Sequence, residues 1–209
     1  MSRHDWFRNT SWSPEIEDAF FRKLSRAKFK NQYLRSQASV LASQFPEVAL
    51  RLLDQYFSLG EHLDMAQAHV IRAAAHISLN DFESAILAYE AAIKRESEYP
   101  NSRTRAHVEL PFLIAKQRLS QHYDRAIALL TAQKSRKDQM VFPIDRFLGN
   151  CALALIRSEQ GNQAEAREAA RRALAAASEL HSGLRYHPTL ELVGDIDQSV
   201  RQRLSQLAA

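Results

Sequence analysis

One small residue returns at the same place in four segments of the chain, and that recurrence narrows the folds open to it. The segments are FPEVALRLLDQYF (45–57), NDFESAILAYEAAI (80–93), HYDRAIALLTAQ (122–133) and NQAEAREAARRAL (162–174). The shared residue is Ala49, Ala85, Ala126 and Ala166, spaced 36, 41 and 40 apart. Three residues before each alanine stand Pro46, Phe82, Tyr123 and Gln163, and four after come Leu53, Tyr89, Leu130 and Ala170. A period of this size marks helical repeats. Another helical stretch precedes each segment, roughly 31–43, 62–79, 102–119 and 143–160, so the unit reads helix–turn–helix. Alanine suits close approach, because a small side chain lets two helices cross tightly. The residue one turn later then plugs the gap to the next helix. A lone hairpin cannot bury its apolar face, so such hairpins stack. Asn80 with Glu83 and Asn162 with Glu165 are expected to form capping boxes.

Composition agrees with helices. Five Gly and six Pro in 209 residues are too few for the turns of a sheet-rich chain. The single cysteine, Cys151, excludes an internal disulfide framework and fits a reducing compartment. No apolar run approaches the roughly 20 residues that span a bilayer. Trp6 to Ser13 is too polar for a secretory signal. The expectation is a cytoplasmic protein without a membrane partner. Its net charge of +4 is localised: residues 1–35 hold eight Lys/Arg against four acids, and the rest is balanced.

Both tryptophans, Trp6 and Trp12, lie with Phe7 near the start of the sequence. Ser13-Pro14 then opens a helix that buries Ile16, Phe20 or Phe21, and Leu24 at helical spacing. That helix is expected to run on, bent near Ala27, towards Tyr33, Val40 and Leu41. The aromatic cluster is read either as a cap over the first repeat or as a set of anchors for a partner. The cap is the preferred reading.

The segment SLNDFESAILAYEAAI resembles the tetratricopeptide repeat, through Asn80, Asp81, Phe82, Ala85, Tyr89 and Ala92. Gly161, Asn162, Ala166 and Ala173 repeat that register. The resemblance covers about residues 30–180. It implies an all-α, right-handed α-α superhelix, a solenoid of about four hairpins with N- and C-terminal capping helices. The expected division is 1–30 for the aromatic segment and first cap, 31–181 for the hairpins, and 182–209 for a loop and the last cap. The sequence departs from the family in its longer repeats and in Pro111, which should kink or interrupt the third unit's first helix.

Such repeats typically present the first helix of each pair to a concave groove that holds a peptide or partner protein. In the second unit, His62, Met65, His69, Arg72 and His76 align along one face at three- and four-residue spacing. Val70, Ala73, Ala74 and Ile77 form the apolar stripe. In the functional reading the row meets the ligand. Arg72 supplies a forked donor for a carboxylate or phosphate, and the histidines add donors and pH sensitivity. The alternative is a solvated face. Metal binding fits poorly, because His69 and His76 stand about 10 Å apart along a helix. A second cluster, His181, Arg185, Tyr186 and His187, lies in LHSGLRYHP (180–188). It is read either as a loop that helps form a site or, by preference, as a turn before a final helix that buries Leu190, Leu192, Val193, Ile196, Val200 and Leu204.

There is no P-loop, G-x-S-x-G, H-E-x-x-H or dinucleotide glycine pattern, and Cys151 sits in the apolar run CALALI. The expectation is a non-catalytic adaptor with no cofactor or metal, binding a protein or peptide. An inhibitor or immunity-type protein that sequesters an enzyme or toxin is the alternative. A nucleic-acid regulator using Arg22 to Arg35 is less favoured, because no DNA-reading helix–turn–helix stands out.

Overall fold

The computed structural model describes residues 6–134 and 142–209, and among these ten α-helices and no strand are found. The helices pack in sequential pairs. They fall into two compact units, residues 1–106 and 107–209.

Unit 1 holds α1 (Pro14–Ser25), α2 (Lys30–Leu41), α3 (Pro46–Ser58), α4 (Met65–Ser78) and α5 (Phe82–Glu98). Ser13 caps α1 by accepting a hydrogen bond from the Ile16 amide, and Pro14 occupies the first turn at no hydrogen-bond cost. The helix does not run on to Tyr33 as the sequence suggested. It stops at Ser25, and a turn leads into a separate α2. The pairs are α2 on α3 and α4 on α5, with α4 also resting on α2 and α3. Their core joins Phe20, Leu24, Leu34, Leu41, Leu52, Leu53, Tyr56 and Ile71.

Unit 2 contains α6 (Ala106–Lys116), which begins at the boundary residue, α7 (Tyr123–Lys134), α8 (Pro143–Glu159), α9 (Gln163–Ala177) and α10 (Gln198–Ala208). The α8–α9 pair packs closely because the residues that α9 buries are alanines: Ala166, Ala169, Ala170 and Ala173 are at most 3% exposed. Cys151, Leu155 and Ile156 of α8 are equally buried. Pro111 lies inside α6, which continues past it and ends before Arg118, whose φ is +55°. The helix is shorter than the expected 102–119.

All four repeat alanines are 0% exposed, as close approach requires. The second unit's capping differs by one residue from the expected box. Asp81, not Asn80, caps α5 by accepting from the Ser84 amide at 3.1 Å, and Asn80 takes a φ of +57° in the turn. The fourth unit repeats this arrangement with Gly161 at φ +80° and Asn162 as cap, accepting from the Glu165 amide at 3.2 Å. Left-handed backbone favours Gly and Asn, so counting back from Ala85 and Ala166 pairs Asn80 with Gly161.

The final helix also begins later than expected. Leu190, Leu192, Val193 and Ile196 precede it, and only Val200 and Leu204 of the expected set are buried on α10. Asp197 sets the start by accepting hydrogen bonds from the Ser199 amide and hydroxyl.

Candidate functional site

Helix α4 is apolar on two flanks. Ala68, Ile71 and Ala75 join the core with α2 and α3, while Ala66 and Ala73 are buried on the other side. Met65, His69, Arg72 and His76 lie between those flanks, on the packed half of the helix. His69 stacks on Phe57 of α3 with ring centroids 4.6 Å apart, and the Arg72 guanidinium lies 4.4 Å from the same ring. Arg72 also pairs with Asp54 of α3. His76 approaches the α5 cap Asp81 to 3.2 Å, without the alignment of a hydrogen bond. His62 is not on the helix. It precedes α4, 5.4 Å from the Tyr56 ring, with Nε2 buried and unbonded. Burial, then the charges of Arg72 and Arg95, push the His69 pKa down to about 4. Its titration therefore leaves the physiological range.

Two polar contacts that were not read from the sequence hold the approach to α4. Asp64, just before the helix, accepts from the Tyr56 hydroxyl at 2.6 Å and from Arg35 Nε at 2.6 Å, tying α2, α3 and α4 together. Burial alone would raise the Asp64 pKa, but these two donors hold it below the usual carboxylate value. Tyr56, buried and bonded to that carboxylate, has its pKa raised. Arg95 of α5, nearly buried, pairs with Glu61 at 2.9 Å and lies 3.8 Å from the Tyr99 ring. An Asp preceding a helix is the one signal that pointed towards Asp64. A cavity of about 230 Å³ opens beside it, lined by Leu63, Asp64, Ala66, Gln67, Ser102, Arg103 and Thr104.

The N-terminal aromatics pack inward. Trp6 lies 5.4 Å from Phe20 and 4.9 Å from Tyr33, Phe7 lies 4.8 Å from Tyr33, and Trp12 lies 5.7 Å from Phe20. The Trp12 indole donates to Glu17 at 2.7 Å. Gln37, 0% exposed on α2, fastens this segment. Its Oε1 accepts from the backbone and side-chain amides of Asn9, both at 2.9 Å, and its Nε2 donates to the Asn9 carbonyl at 2.8 Å. A glutamine within an apolar stripe gave no hint of this clasp.

The 180–188 cluster belongs to unit 2. His181, Arg185, Tyr186 and His187 are exposed on a loop pinned by buried Ser182, whose hydroxyl donates to the His187 carbonyl at 2.7 Å. The structure gathers these four on one turn and keeps the α4 row in unit 1. Cys151 is fully buried, and burial pushes its thiol up to about 12. Among the described residues no cluster of His, Cys, Asp or Glu is arranged to hold a metal, and no helix is long and apolar enough to cross a membrane.

Two helices joined by a three-residue turn, closed over a buried alanine, define a helical-hairpin repeat. The tetratricopeptide repeat family model matches residues 66–99, which are α4 from its second residue, its turn and α5 with one residue beyond. The chain therefore carries a tetratricopeptide repeat. No curated protein and no solved structure matches it. The repeat points to protein partners in general, and its domains are usually non-catalytic.

Proposed function

We propose that the chain is a non-catalytic scaffold that holds a segment of a partner protein against the open faces of α2 and α4. The observation that carries this reading is the tetratricopeptide match on α4 and α5. The packing supports a particular face. With His69 and Arg72 stacked on α3, the opposite side of α4 carries half-buried Gln67 and Val70 and exposed Ser78, while Ala74 packs against the core. On α2, Gln32, Ser36 and Ser39 lie opposite the buried Leu34, Gln37, Ala38 and Leu41. Small, uncharged hydrogen-bonding residues suit an extended backbone better than a charged terminus.

In this reading His69, Arg72 and His76 position α4, and Trp6, Phe7 and Trp12 cap the repeat rather than anchor the partner. The stacking of hairpins into a right-handed superhelix belongs to the same proposal, supported in unit 1 by the packing of α4 on both α2 and α3. The inhibitor or immunity-type role is a use of the same face. Affinity capture from the source cell extract tests the proposal, comparing the wild type with Gln67→Arg on α4 and Leu87→Arg on the exposed side of α5. A captured protein lost with Gln67→Arg and kept with Leu87→Arg supports it; retention by both contradicts it.

A further inference from the structure

The sequence contains no Asp or Glu from residue 19 to residue 46, yet six cations fall in that interval. Arg35 is used internally, on Asp64. The other five, Arg22, Lys23, Arg26, Lys28 and Lys30, are exposed around the turn from α1 to α2, and none makes an ion pair among the described residues. Local structure concentrates their field. Lys30 opens α2, which has no acid in its first turn and no side-chain cap, so the positive end of the helix adds to the cations. Phe29 stands at the corner between Lys28 and Lys30, 54% exposed, with the Lys28 ammonium 5.4 Å from its ring centroid.

We infer that this corner docks an acidic segment of a partner protein, carboxylates meeting the cations and an apolar side chain meeting Phe29. The charge distribution selects that occupant. From residue 36 to residue 106 the sequence holds nine Asp/Glu against six Lys/Arg, so the positive field is confined to the corner, and a long polyanion or a planar anionic surface would meet net negative charge beyond it. A short acidic segment needs only the corner. The choice of a protein over other anions rests on the scaffold reading above.

The test selects random 12-residue peptides on the immobilised full chain and measures recovered peptides by fluorescence anisotropy. Recovered peptides should be rich in Asp and Glu beside an apolar residue. Their affinity should fall at least tenfold with Lys28→Glu/Lys30→Glu, severalfold with Phe29→Ala, and further as salt rises. Each variant should keep the wild-type helical circular dichroism. Failure to recover binders, peptides without net negative charge, or affinity unchanged in the double reversal would overturn the inference. So would tighter binding to polyuridine or to phosphatidylserine vesicles that the double reversal abolishes. Gln67→Arg separates the two proposals: binding lost there but kept in the double reversal leaves the scaffold reading standing and removes the acidic dock.

Discussion

Replacing Gln37 with methionine should loosen the N-terminal cap while changing side-chain volume very little. The substitution removes three hydrogen bonds to Asn9, of 2.8–2.9 Å, each worth about 1 kcal/mol net. An apolar end at a fully buried position offsets part of that, and water reaches part of Asn9. A net loss of about 1.5–3 kcal/mol follows, or a fall in Tm of about 4–10 °C for a chain of this size. Both tryptophans lie in the capped segment, so indole fluorescence reports on the cap while far-ultraviolet circular dichroism reports on the helices. Asn9→Ala alone should cost about 1 kcal/mol, and the double-mutant cycle should show coupling of about 0.5–1.5 kcal/mol. Stability within about 0.5 kcal/mol of wild type for Gln37→Met, with unshifted indole emission, would refute the clasp and return the aromatics to the role of partner anchors.

Arg72→Ala should lower Tm by about 2–4 °C, because stacking on Phe57 and the pair with Asp54 contribute about 1 kcal/mol; unchanged melting with lost partner binding would give the row back to the ligand. His69 titrates at about 4 in the fold against 6.5 ordinarily, so the unfolded chain takes up the proton first. Its contribution is whole above about pH 6.5 and is lost as pH falls towards 4. Partial exposure reduces the loss to about 1–2 kcal/mol, and His69→Phe should flatten that part of the urea-stability profile. Ala166→Leu should overpack α9 against α8 and cost about 1–3 kcal/mol by chemical denaturation. Cys151 should resist iodoacetamide at pH 7.5 in the native chain and react once urea unfolds it, as mass spectrometry would record.

The hairpin framework was legible because its signals are local and periodic. The alanines, the flanking helices and the Ser13-Pro14 cap depend on residues a few positions apart. Asn80 was misassigned because Asn serves both as a cap and as a left-handed turn residue; only the spacing to the buried alanine separates the two. The row on α4 was visible as a stripe, but its direction was not. A stripe of His and Arg looks the same whether it meets solvent or Phe57 of the preceding helix. The clasp of Gln37 on Asn9 and the link from Arg35 through Asp64 to Tyr56 join residues far apart in sequence, which no spacing rule reaches.

A scaffold of this kind must bind its partner at the open face of α4. Placing a photo-crosslinking amino acid at Gln67 or at Leu87, and irradiating the full chain in the source cell extract, tests that face directly. Binding there should give a discrete cross-linked protein from position 67 and none from position 87. Cross-linking from 87 with none from 67 would contradict it.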